Sequence, residues 1–388
     1  MEISEYTPNK KWKKIILIVL GIILAIAIVI TTSLYVVNEE FREMIDIHVL
    51  RKEVTENSKN QIIINTGDNA QIYAYDKYVA ILNKSTLSIY NQSAEEVGKI
   101  STMITNPIFA SNGKYLAIAE KNGQKIYQIK DKEKQWEKEI EGNITDIRIN
   151  RNGYISVIVT GTSYKTVIIT IDENGKEIFK TYLATLNAVT TSISNNNKYL
   201  AIAEVNSSSA IIQSDIKIIS IEKAKTDPTN SIVYTHKAET NELITDIKYQ
   251  DKETLVCLYD DKVAIIEGTE PEQELQKIDQ KADFIDIKLK NHIAQTVETT
   301  EFFKTNIELQ IKNTNNKTES TYLTSGVLKS IKVSDEVIAL NLSTEVHFIN
   351  TSGWLMKKYV SSKGVTDIVV GNEIAGIIYK NKVEIIKL

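Results

Sequence analysis

Asn112-Gly113-Lys114-Tyr115-Leu116-Ala117-Ile118-Ala119-Glu120 returns 84 residues later as Asn196-Asn197-Lys198-Tyr199-Leu200-Ala201-Ile202-Ala203-Glu204. A shorter echo, Lys77-Tyr78-Val79-Ala80-Ile81, precedes the first copy by 37 residues. Self-similarity at a fixed spacing is the mark of a repeat architecture, and the blades of a β-propeller run about 40–45 residues. Two such repeats fit the larger spacing.

Two further signatures fall into the same frame. One is Thr145-Asp146-Ile147, repeated as Thr245-Asp246-Ile247, Ile285-Asp286-Ile287 and Thr366-Asp367-Ile368. The other is an Asn- and Gly-bearing turn followed by a strand, as in Asp172-Glu173-Asn174-Gly175-Lys176 and Asn350-Thr351-Ser352-Gly353-Trp354. Asparagine and glycine supply the positive φ that a tight turn needs. Each repeat reads as four short strands. Many are apolar at nearly every position, as in Thr166-Val167-Ile168-Ile169-Thr170-Ile171. Continuous apolarity means that both faces of the strand are buried, which blades packed face to face require.

Innermost strands are expected to begin near Ala70, Thr105, Ile144, Val189, Ile244, Phe284, Leu328 and Val365. The fold class is therefore all-β, a β-propeller of eight four-stranded blades. Seven is the alternative, because residues 189–240 are irregular. The last repeat has room for only three strands, while the run Gln61-Ile62-Ile63-Ile64 is an orphan ahead of the first. Residues 61–64 are expected to pair with the last blade and close the ring, which removes a sheet edge that would otherwise invite aggregation. The propeller then spans residues 60–388.

Ahead of it lies a run without a charged side chain, residues 15–37. As a helix it spans roughly 34 Å, enough for a bilayer core of about 30 Å. It is too long for the apolar core of a cleaved signal peptide. Lys10, Lys11, Lys13 and Lys14 precede it, and Glu39 and Glu40 follow. Positive flanks stay inside. The expectation is a single-pass signal anchor in the cell membrane, with a cytoplasmic tail (residues 1–14), a stalk (residues 38–59) and an extracytoplasmic propeller. Phe41, Met44, Ile45 and Val49 give the stalk a helical apolar stripe.

Composition excludes some functions. The net charge is −4, so the basic surplus of a nucleic-acid binder is missing. The single cysteine, Cys257, lies in an apolar run and forms neither an internal disulfide nor a cysteine-based zinc site. His48, His236, His292 and His347 show no metal-ligand spacing. No phosphate loop, dinucleotide fingerprint or nucleophile elbow occurs. No cofactor and no metal are expected.

The turn Gly175-Lys176-Glu177-Ile178-Phe179-Lys180 resembles the Gly-Lys-x-x-aromatic-Lys turn of the WD-repeat and quinoprotein-like propeller superfamily. The Gly-His and Trp-Asp pairs of true WD repeats are absent. So is the regular tryptophan pattern of quinone-cofactor dehydrogenases, and their cofactor is not carried over. The whole layout, a lysine-flanked anchor before a repeat domain, is similar to an uncharacterised family of membrane-anchored propellers from low-GC Gram-positive bacteria. That resemblance implies an envelope location and no particular activity.

Two sets of residues are candidates for function. Asp146, Asp246, Asp286 and Asp367 occupy like positions on the innermost strands, where they can ring the channel mouth, or bond a neighbouring backbone N–H and lock adjacent blades. The connections between second and third strands are expected to be long at residues 161–165, 205–214 and 297–304. They carry Tyr164, Ala210, Ile211, Ile212, Phe302 and Phe303. Apolar residues on loops held by a rigid scaffold mark a partner surface. The leading expectation is a non-enzymatic scaffold that binds a protein or envelope ligand through that face. The alternative is an extracytoplasmic lyase or hydrolase acting on envelope glycans at the channel.

Overall fold

The computed structural model describes residues 10–37, 41, 45, 54–55, 60–65, 67, 69–207, 212–279, 282–301 and 304–388. They form two compact units, Met1–Val54 and Thr55–Leu388.

The first unit contains a helix, Lys10–Val37. Its segment Ile15–Val36, 22 residues, is apolar and long enough to cross a membrane, at roughly 33 Å. Thr31 and Thr32 fit this apolar helix by donating their hydroxyls to the carbonyls of Ala27 and Ile28, each at 2.7 Å. Of the expected stalk, Phe41 and Ile45 are helical and Val54–Thr55 is a two-residue strand.

The second unit is an eight-bladed propeller. Each blade is built on four antiparallel strands, and one of the eight sheets, that of Ser330–Ser334, has a short fifth strand at its edge. The innermost strands are Gln71–Tyr75, Pro107–Asn112, Asn143–Ile149, Asn187–Ile193, Ile244–Tyr249, Ala282–Asp286, Ser330–Ser334 and Asp367–Val370. The irregular fourth repeat is a full blade with an insertion. A helical turn, Ile221–Ala224, and a 3-10 turn, Pro228–Asn230, separate its third and fourth strands. Ser220 and Asp227 cap these turns. The outer strand of the eighth blade is Gln61–Ile63, antiparallel to Lys382–Lys387 in the register Gln61↔Glu384 to Ile63↔Lys382.

Burial follows from this stacking. Middle strands such as Tyr115–Glu120, Thr166–Ile171 and Val337–Asn341 are buried along nearly their whole length, because a neighbouring blade covers each face. The outer strand Glu319–Ser325 alternates exposed and half-buried residues, since one face meets water. Cys257 sits among Tyr249, Leu255 and Tyr259 in one such interface, and burial pushes its thiol well above the ordinary range.

Strand direction alternates within a blade, so connections fall on two faces. The first–second and third–fourth turns make one, the turn face. The second–third hairpins and the links between blades make the other, the loop face. On the turn face every blade junction carries a hydrogen bond. Around the ring these run from Tyr75 Oη to the Asp131 carbonyl, Gln128 Nε2 to Gly153 O (2.6 Å), Asn150 Nδ2 to Ser194 O (2.9 Å) and Asn195 N to Asp251 O (3.3 Å). They continue from Gln250 Nε2 to Ile287 O (3.0 Å), Lys290 N to Asp335 O (2.7 Å), Ser334 Oγ to Asn372 Oδ1 (2.8 Å) and Asn372 N to Asp76 O (2.7 Å). Bonds of this kind fix the angular spacing of the blades and hence the bore of the channel.

Candidate functional site

The innermost strands enclose a cavity of about 640 Å³. Its walls carry six carboxylates, Asp76, Asp146, Asp246, Asp286, Asp335 and Asp367, and four cations, Arg148, Lys248, Lys288 and Lys332. All four recurrent aspartates named from the sequence therefore line the channel.

The Thr-Asp-Ile signature has a local physical reason. The innermost strands slip register between Ile144 and Asp146 and between Ile244 and Asp246. At both bulges a threonine hydroxyl, Thr145 or Thr245, donates to a second-strand carbonyl, Ile158 O or Leu258 O, at 3.1 Å. The bulge re-aims the next residue, the aspartate, into the channel, while the isoleucine returns to the blade interface. The aspartates also bond backbone. Ile247 N donates to Asp246 Oδ1 (3.0 Å), Lys288 N to Asp286 Oδ1 (2.5 Å) and Ile368 N to Asp367 Oδ1 (2.9 Å). These backbone bonds stay within each aspartate's own blade, so they hold the local chain and not the neighbouring blade.

The cations were overlooked in the sequence, although the signal is plain once seen. Asp146-Ile147-Arg148, Asp246-Ile247-Lys248 and Asp286-Ile287-Lys288 each place a cation two residues after the aspartate. Residues two apart on a strand face the same way. The channel is therefore charge-paired rather than acidic. Arg148 Nε meets Asp146 Oδ2 at 3.0 Å, and its Nη2 reaches Asp246 Oδ1 at 3.3 Å. That second bond skips the fourth blade, whose innermost strand presents only the short Thr190, Thr191 and Ser192 there. Burial works against the Arg148 charge, but Asp246 and Asp146 outweigh it and hold its pKa above the ordinary value. Lys332 lies 3.6 Å from Asp367. Burial depresses the Lys248 ammonium, only partly countered by Asp335 and Asp286. Burial likewise raises the Asp286 carboxyl against the pull of Lys288 and Lys248. On the turn face, Arg151 of the third blade crosses to Asp335 of the seventh, diametrically opposite, at 2.8 Å.

The loop face differs in kind. Tyr164 and Ile212 are exposed. Tyr164 packs against Tyr182 as a tilted pair, with ring centroids 4.7 Å apart at 43°. Its hairpin turns at Gly161 (φ +76°), where a Cβ would lie 2.8 Å from Asn143 Nδ2. Ile211, Phe302 and Phe303 lie outside the described residues. Of the expected long connections, that of the sixth blade is corrected and that of the fourth is shortened to residues 207–212 by the strands themselves. The second and third strands of the sixth blade, His292–Glu301 and Lys304–Asn313, pair out to Glu301↔Lys304. Those of the fourth, Tyr199–Asn206 and Gln213–Ser220, pair out to Asn206↔Gln213. In the sixth blade, β-branched Val297, Thr299 and Thr300 favour pairing over looping.

Of the nine large apolar side chains that the described propeller residues expose, seven belong to the loop face or the strand ends leading to it. They are Ile63, Met103, Tyr164, Tyr182, Ile212, Leu323 and Val327; Ile232 and Trp354 are on the turn face. No metal-binding group of three or more His, Cys, Asp or Glu occurs among the described residues. His236, His292 and His347 contact Glu272, the Lys290 carbonyl and Tyr322 Oη.

Comparison with known proteins gives the fold and a family. The sequence model of a family of unknown function (DUF5711) matches residues 50–388. No curated protein matches. Among solved structures, the C-terminal WD40 domain of Sif2 is similar with a TM-score of 0.54 at 10% identity, over 86% of this chain and 99% of that one. BamB from Moraxella catarrhalis has a TM-score of 0.48 at 13% identity, over 84% and 98%. Sqt1 of Chaetomium thermophilum, bound to the N-terminus of ribosomal protein L10, has a TM-score of 0.49 at 10% identity, over 85% and 100%.

Proposed function

The chain belongs to the DUF5711 family of unknown function, and since that family brings no activity with it, we propose from its site that the protein is a scaffold. It is anchored in the cell membrane by one helix, with its N-terminus cytoplasmic and its propeller outside, and it holds a protein or envelope partner on the loop face. The observation that carries this reading is the segregation of exposed apolar side chains to that face. Apolar groups scattered by chance need no explanation, whereas a one-sided set on connections held by a rigid scaffold marks an interaction surface. The lysines before the apolar run and the glutamates after it support the orientation.

Two readouts test it. The only cysteine is buried, so wild-type protein in intact cells gives a low background with a membrane-impermeant maleimide. Ser352→Cys, at an exposed turn, is expected to label from outside, and labelling only after permeabilisation contradicts the location. The second readout is co-purification of the full chain from detergent-solubilised membranes. Tyr164→Ser with Ile212→Ser is expected to remove the partner that wild-type protein and Trp354→Ser both retain. A partner kept by the loop-face double variant contradicts the scaffold reading.

A further inference from the structure

We propose that the channel is a second, independent binding site, for an anionic sugar: a polyhydroxylated ring bearing one carboxylate or phosphate group. Lys248 and Lys332 stand on the innermost strands of the fifth and seventh blades, Lys288 lies two residues past the end of that of the sixth, and all three line the cavity. Three ammonium groups side by side repel unless each has a counter-charge. Lys332 has Asp367. Lys248 has none within ion-pair distance among the described residues; its one hydrogen bond goes to the Lys288 carbonyl. An ammonium has three N–H donors, so two remain, and burial already disfavours its charge. An anion placed between Lys248 and Lys288 satisfies both.

The opposite wall has another chemistry. Tyr73 and Phe109 come from the first and second blades, which face the fifth and sixth across a ring of eight. Their rings stack at 5.0 Å and 13°, half-buried, and both line the cavity. The stacked pair gives this wall an aromatic, apolar surface, against which the C–H groups of a sugar ring pack. On the lysine side of the channel, Asp286 has one carboxylate oxygen with no hydrogen bond among the described residues, able to accept from a hydroxyl. Inorganic phosphate would satisfy the lysines and leave the aromatic wall bare. A neutral sugar would do the reverse. The cavity volume of about 640 Å³ lies in the usual range for small-molecule sites.

The test is titration calorimetry on the full chain in lipid nanodiscs, with glucuronic acid, glucose 6-phosphate, glucose and inorganic phosphate as probes. At least one of the two acids is expected to bind, with glucose and inorganic phosphate weaker by about ten-fold or more. Which acid binds more tightly assigns the anionic group. Lys248→Gln is expected to weaken the acid by roughly ten- to a hundred-fold. Lys288→Gln, at an exposed lysine that the fold does not need, is expected to weaken it in the same direction. Binding of neither acid, equal binding of glucose, or unchanged affinity in both lysine variants overturns the proposal. None of these outcomes bears on the loop face.

Discussion

The turn face and the loop face are built from the same strands, yet they are opposite in character. On the turn face all eight blade junctions are hydrogen-bonded, and Arg151 and Asp335 cross the channel between opposite blades. On the loop face the connections extend as hairpins and present Met103, Tyr164, Ile212 and Val327 to solvent. The turn face is bonded at every junction; the loop face is bonded at some, as from Ile144 N to Gly123 O (2.8 Å) and from Val365 N to Ser343 O (2.6 Å), and it also presents the exposed apolar side chains.

The comparison can be broken most readily at Gln250. Its amide donates to Ile287 O and His292 O, and its oxygen accepts from Thr314 Oγ1, all in the interior. Gln250→Ala orphans these groups and is expected to cost about 2–4 kcal/mol, read as a lower urea midpoint of the full chain in micelles. Gln128→Ala loses one buried bond to Gly153 O and is expected to cost about 1–3 kcal/mol. A change near zero in both would mean that the turn face is not the lock. Arg151→Ala removes a half-exposed pair and is expected to cost less than about 1 kcal/mol. Tyr164→Ser and Ile212→Ser, on the other face, are each expected to stay within about 0.5 kcal/mol. Losses there as large as at Gln250 would make these residues packing elements instead of a free surface.

A pH series sharpens the contrast inside the channel. The Asp286 carboxyl is held above its ordinary value by burial. The folded chain therefore binds that proton more tightly than the unfolded chain. The resulting stabilisation is complete below the unfolded value, roughly 3.9, and is lost as pH rises through the folded value. Asp286→Asn removes this loss. Its urea midpoint is expected to fall less than that of wild type as pH rises from acid towards neutrality, and parallel curves would count against the assignment.

The fold was largely legible in the sequence because blade packing imposes one repeated demand, apolar strands separated by turn residues. Each expected start of an innermost strand lies within two residues of the observed one. The fourth repeat looked irregular because Ile221–Ala224 and Pro228–Asn230 interrupt it with a capped insertion, which no strand pattern encodes. Residues 297–301 read as a loop because Thr and Glu dominate there. Cross-strand partners stabilise them, and such pairing is not local information. In the channel, the aspartates were found from their recurrence. Arg148, Lys248 and Lys288 were missed because a cation two positions along a strand is ordinary until the bulge shows which way both residues point.

The most direct test of the division between faces is a photo-crosslinking scan in membranes of the native host. A photoreactive residue replaces Met103, Tyr164 or Ile212 on the loop face, and Ile232 or Trp354 on the turn face. The loop-face positions are expected to capture one and the same partner and the turn-face positions none. Adducts formed from Ile232 and Trp354 but not from the loop face would contradict that division.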